Sequence, residues 1–157
     1  MRKKMMTISP QEPSLPDHGW LDLDALAEVE ISSEDMDYPI ESALLPGHAS
    51  GWRAAMPGEQ VIRLVFDQPQ RLQRIRLNFV ETHIERTQEY ILRWSADDGA
   101  SFQDIVRQQW NFSPEGTTCE TEEHQLDLQG VTVLELSIIP DMGGAAVCAS
   151  LEQLALA

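Results

Sequence analysis

The stretch that decides the fold is QVIRLVFDQPQRLQRIRLNF, residues 60–79. In its first part Ile62, Leu64 and Phe66 alternate with Val61, Arg63 and Val65. In its second, Ile75, Leu77 and Phe79 alternate with Arg74, Arg76 and Asn78. A period of two puts successive side chains on opposite faces of an extended chain, so each part reads as a strand with one face on a core and the other toward water. Asp67-Gln-Pro69 between them reads as a turn, because Asp bonds its own backbone and Pro presets a turn φ.

The same alternation recurs outward from this point. Tyr90, Leu92 and Trp94 mark one face of a strand over 89–96, and further strands are expected over 27–31, 105–112, 124–128, 133–139 and 151–156. Turn signals separate them: Asp97-Asp98-Gly99, residues 113–116, Gln129-Gly130 and residues 140–144. Helix is supported only over 38–45, with Pro39 at an early helical position. Short strands punctuated this often predict an all-β protein, a sandwich or barrel of about eight antiparallel strands.

At 157 residues the chain is the size of one domain. Residues 1–19 are polar and carry Pro10, Pro13 and Pro16, so they are expected to form a flexible N-terminal arm, with the domain over 20–157. With 26 acidic and 11 basic residues the formal net charge is -15, which repels phosphate backbones and anionic lipid; neither nucleic acid nor membrane is an expected partner. Cys119 and Cys148 lack metal-type spacing and read as reduced thiols. The opening residues lack the apolar run of a secretion signal, so a cytoplasmic location is expected.

Chemistry-bearing constellations are few. The histidines at 18, 48, 83 and 124 have no short metal spacing, neither cysteine neighbours a histidine, and Gly143-Gly144 reads as a turn rather than a phosphate cradle. A non-catalytic role is therefore expected. Residues 95–102, SADDGASF, fit an Asp-box pattern whose role is structural: Asp97 caps the turn, Gly99 supplies a positive φ and Phe102 fills the core. The segment RQQWNF, residues 107–112, stands out, since Trp110 and Asn111 combine a stacking face with directional hydrogen bonding. Simple alternation between the two sandwich faces explains it equally well.

Ile31-Ser-Ser-Glu, Tyr38-Pro39, Ala43-Leu-Leu-Pro-Gly47 and Ser50-Gly-Trp52-Arg53, followed by the strands above and ending at Ala149-Ser-Leu-Glu152-Gln-Leu154, resemble discoidin or coagulation-factor C-type domains, the galactose-binding-like family. The resemblance implies a jelly-roll β-sandwich and a ligand-binding module, in many members for carbohydrate, acting through loops at one end. On that basis the candidate ligand-binding residues are His48, Trp52, Arg53, Glu81, His83, Arg86, Trp110 and Asn111. In the family Trp52 is more often a core anchor. Where the family carries an Asp-Gly-Asp turn that helps hold calcium, this chain reads Pro46-Gly47-His48, and Glu152 alone cannot hold the ion. No cofactor is expected, a structural calcium being the one exception the resemblance leaves open. A shorter similarity, Trp52-Arg-Ala-Ala55 with Gly58-Glu59, is to the amino-terminal domain of a eukaryotic single-strand-break repair scaffold, whose DNA contact is not carried over to so acidic a chain. The expected ligand is a carbohydrate or other small polar molecule, bound without turnover. The alternative is an intracellular protein–protein interaction or assembly module on the same fold.

Overall fold

The computed structural model describes residues 19–47 and 50–157. The arm expected over 1–19 lies outside the described residues except for Gly19, and so does His48.

The strands are β1 (Ala27–Ile31), β2 (Trp52–Pro57), β3 (Gln60–Val80), β4 (Arg86–Ser95), β5 (Gln103–Phe112), β6 (Cys119–Ile139), β7 (Cys148–Leu151) and β8 (Gln153–Leu156). Two one-turn helices, α1 (Leu23–Leu26) and α2 (Glu41–Leu44), flank β1. All strand pairings are antiparallel, in the order β1-β3-β6-β4-β5 with β8 also on β3, while β2 and β7 form a separate pair. The fold is an all-β jelly-roll sandwich.

The deciding stretch turns out to be one strand. β3 and β6 each run 21 residues and pair along their whole length, with register shifts between Val65 and Arg74. On one side of the shifts the pair is flanked by β1 and β4, on the other by β8. The ribbon thus bends out of one layer and supplies the centre of the facing layer, where Phe79 meets Tyr90 with ring centroids 5.3 Å apart. Asp67-Gln-Pro69 and Gln129-Gly130 are therefore opposed bulges and not turns. Pro69 gives up a donor where the ladder is already interrupted, and Gly130 takes φ +74°, which costs little without a Cβ.

The alternation predicts burial as expected. Ile62, Leu64, Leu72, Ile75, Leu77, Phe79, Tyr90 and Leu92 are buried, and their cross-strand neighbours Leu134, Leu136 and Ile138 close the core. Each contributes on the order of 1.5–3 kcal/mol relative to exposure. Four elements differ from the expectation, the first being α1, a helical turn outside the one span where helix was expected. β2 was not anticipated, because Trp52-Arg-Ala-Ala-Met-Pro57 alternates only weakly. The strand expected over 151–156 is split at Glu152, whose N–H donates to the Asn78 carbonyl, so that β7 pairs with β2 and β8 with β3. The helix over 38–45 shortens to α2.

The Asp-box is the β4–β5 turn. Asp97 accepts from the Ser95 and Ser101 hydroxyls, each at 2.6 Å, and from the Ser101 N–H at 2.9 Å; these bonds, Ser101's first, hold its pKa down at about 2. Gly99 has φ +92° and Asp98 φ +60°. Phe102 does not fill the core: it lies half-buried beneath the Arg63 guanidinium, 5.7 Å from the ring centroid. No helix among the described residues is long and apolar enough to cross a membrane.

Candidate functional site

Opposite the bend, three connections meet: residues 81–85 between β3 and β4, 113–118 between β5 and β6, and 140–147 between β6 and β7. Pairing of Val80 with Cys119 and of Glu89 with Ile139 brings them together. Arg86 is their pin. Its side chain is wholly buried; Nε donates to Glu81 Oε1 at 2.8 Å, and Nη1 donates to Gln88 Oε1 at 3.1 Å and to the Pro140 carbonyl at 2.8 Å. The guanidinium also lies 4.8 Å from the centre of the Phe112 ring. Burial pushes the Glu81 carboxyl up, but hydrogen bonds from the His83 N–H, the Arg86 guanidinium and the Ile84 N–H outweigh it and hold the group below its ordinary pKa.

Asp141 repeats the device on the neighbouring loop. It accepts from the N–H groups of Thr87, Gly143 and Ala145 at 3.2, 3.2 and 3.1 Å, and these bonds lower its pKa. The Thr87 hydroxyl donates to Asn111 Oδ1 at 2.7 Å across β4 and β5, and the Glu81 N–H reaches the third loop by donating to the Thr118 carbonyl at 2.8 Å. On this frame stand exposed side chains: His83, Glu85 and Asn111, with Ile84 at 43% and Met142 at 45% exposure. The arrangement presents imidazole, amide and carboxylate groups beside apolar contacts on a backbone already fixed.

The candidate residues thus separate. Glu81 and Arg86 form the frame, while His83 and Asn111 are the exposed groups on it. Trp52 is 1% exposed, its indole Nε1 donating to the Ser33 carbonyl at 3.1 Å, so it offers no ring face to a ligand; it is the core anchor. Arg53 is exposed on β2, over the Tyr38 ring at 4.6 Å, and no contact among the described residues joins it to the Glu81 loop. Trp110 is half-buried on the inward-facing side of β5, beside Gln88 on β4, with its indole nitrogen enclosed.

A second polar cluster lies between the layers next to Trp110. The inward positions of β6 carry Glu120, Glu122 and His124, which face Gln88 and Tyr90. Tyr90 and His124 are hydrogen-bonded, hydroxyl to Nε2, at 2.9 Å. Glu120 is 1% exposed, and neither of its carboxyl oxygens reaches hydrogen-bond geometry with Gln88 or Glu122. Burial, then the Glu122 charge, pushes its pKa up to about 7. Among the described residues, Gln88 Nε2, Trp110 Nε1 and Arg86 Nη2 are likewise buried without a hydrogen bond.

Sequence reading missed a third feature. Trp20, Leu21, Leu23, α2, Asn78 and residues 152–155 enclose a cleft of about 610 Å³. A Trp at the edge of a Pro-rich segment was the available signal. The cleft includes Glu152, but among the described residues no group of three or more His, Cys, Asp or Glu is placed to hold a metal.

The sequence matches no protein-family model and no curated protein. Solved structures do share the fold. The family 32 carbohydrate-binding module of AlyQ, in complex with 4,5-unsaturated mannuronic acid, has a TM-score of 0.64 at 14% identity, covering 89% of this chain and 98% of its own. A family 32 module of a Clostridium perfringens protein in complex with GalNAc-β-1,3-galactose gives 0.61 at 18% identity, covering 87% and 98%. A pectin-binding carbohydrate-binding module gives 0.58 at 18% identity, covering 83% and 89%. The chain therefore has the galactose-binding-like fold of these modules.

Proposed function

We propose that this chain is a non-catalytic carbohydrate-binding module whose site is the loop end built on Arg86. The observation that carries the reading is the pinned ledge: buried Arg86 and Glu81 fix the connection, and His83 and Asn111 stand exposed upon it beside Ile84 and Met142. A sugar presents hydroxyls on its rim and C–H groups on its faces, and this surface pairs polar groups with apolar contacts in the same way. A frame formed before binding lowers the ordering cost of a weak ligand. Support comes also from the neighbouring structures, whose names record a uronic acid, a GalNAc-galactose disaccharide and pectin as their ligands.

One observation favours a second reading, a protein-contact surface at the same end. Of the large apolar side chains exposed among the described residues, Val80, Ile84 and Met142 stand at this end. Flexible Met side chains suit adaptable contacts.

A glycan array followed by calorimetry tests the first reading. Wild type is expected to bind neutral or acidic sugars, with His83→Ala and Asn111→Ala each losing at least about fivefold in affinity, roughly one hydrogen bond. No bound glycan, or binding indifferent to both substitutions, would reject it.

A further inference from the structure

We propose that the cleft beneath Trp20 is a second binding site, taking a small organic cation with an apolar body, of which a primary amine is the simplest case. The proposal does not rest on the loop end, because α1, α2, β3 and β8 build this cleft and none of residues 81–86 or 140–147 lines it.

Its volume of about 610 Å³ lies within the roughly 300–1,000 Å³ typical of small-ligand pockets. The lining divides by chemistry. Leu23, Ala43 and Leu154 are buried and supply an apolar floor. The Trp20 indole forms a wall and is held from β3: the Arg74 guanidinium lies 4.0 Å and that of Arg76 4.8 Å from its ring. Arg74 is itself steadied by Glu123 at 3.0 Å, and the Leu21 N–H donates to the Leu156 carbonyl at 2.7 Å. The aromatic wall is therefore oriented by the sandwich, although it stands at the very start of the domain.

The polar lining has one sign. Asp22 and Glu152 are acidic, and no Lys, Arg or His is among the described lining residues. In a chain of net charge -15 the cleft repels anions and favours cations. The Glu152 carboxylate makes no hydrogen bond or ion pair with another described residue, although its backbone is anchored to Asn78. Ser42, more than nine-tenths buried, also lines the cleft. A carboxylate above an apolar floor and beside an aromatic wall fits an ammonium group attached to a hydrocarbon or a ring.

The test titrates cadaverine into the ¹⁵N-labelled full chain at neutral pH while the four Trp indole N–H resonances are followed, Trp20 being assigned through Trp20→Phe. The Trp20 resonance is expected to shift saturably. Cyclohexylamine should shift it and uncharged cyclohexanol should not. Glu152→Gln, which keeps shape and removes charge, should weaken cadaverine roughly threefold to tenfold while the spectrum stays dispersed. The proposal is overturned by shifts spread evenly over the acidic surface, by unchanged affinity in Glu152→Gln, or by calcium chloride reproducing the Trp20 shift.

Discussion

Arg86 is buried at the loop end with Glu81, Gln88 and the Pro140 carbonyl as its partners, whereas Glu120, equally buried on the facing strand, makes no hydrogen bond. The two regions touch through Gln88, which gives its carbonyl oxygen to Arg86 and leaves its NH₂ unused toward Glu120. A buried charge with three hydrogen bonds to the elements around it fixes the backbone there, although its Nη2 has no partner among the described residues. A buried carboxyl without partners instead has its pKa raised and keeps its proton to a higher pH. One end of the sandwich is therefore a fixed mount for exposed side chains, and the slot beside it is a place where stability follows pH.

Four substitutions would break or sharpen this contrast. Arg86→Met should have the largest effect, about 3 kcal/mol lost in urea unfolding, because it leaves Glu81 without its charge partner and frees the 140–147 loop. Faster amide exchange at residues 82–85 should accompany it. A loss below about 1 kcal/mol would mean that the pin is not structural.

Glu120→Gln should act in the opposite direction and only above acid pH. Its carboxyl sits near 7 in the folded chain against an ordinary value of 4.5. The folded state thus holds the proton more tightly than the unfolded state. The stability it contributes is complete below about pH 4.5 and is lost as pH rises through about 7, a change on the order of 2–3 kcal/mol. Glu122, His124, Tyr90 and Gln88 face the group, so the change is read as the difference between wild type and variant across pH 4–8. Glu120→Gln should leave stability at pH 4 almost unaltered and raise it at pH 8; equal curves at both ends would contradict the slot.

The smallest stability effects belong to the exposed groups. His83→Ala and Asn111→Ala should each change unfolding free energy by no more than about 0.5 kcal/mol, measured by thermal denaturation, even where ligand binding is lost. A large destabilisation at either position would make it part of the frame.

The fold was legible in the sequence because a period of two marks a half-buried strand whatever its partners are. Ile62 to Phe66 and Ile75 to Phe79 bury the faces they announce. What was not legible was continuity. Pro69 and Gly130 are turn residues locally, and only the pairing of β3 with β6 shows that they sit in opposed bulges within two long strands. The candidate site was half legible. Glu81, His83, Arg86 and Asn111 do fall at one end, but sequence gives residue type without burial. It therefore could not separate the frame from the ledge, or tell that Trp52 and Trp110 turn their rings inward. Glu120 escaped notice because a carboxylate among 26 acidic residues carries no local mark of enclosure.

A sugar bound by this chain is expected to meet the loop end. Chemical-shift mapping with the glycan that binds best on an array tests this most directly. The account predicts that the largest perturbations fall on residues 82–85, Asn111 and 141–143, with Trp20 unmoved. Perturbations centred on Arg53, on the Trp20 cleft or on the bend at Gly130, with the loop end silent, would contradict it.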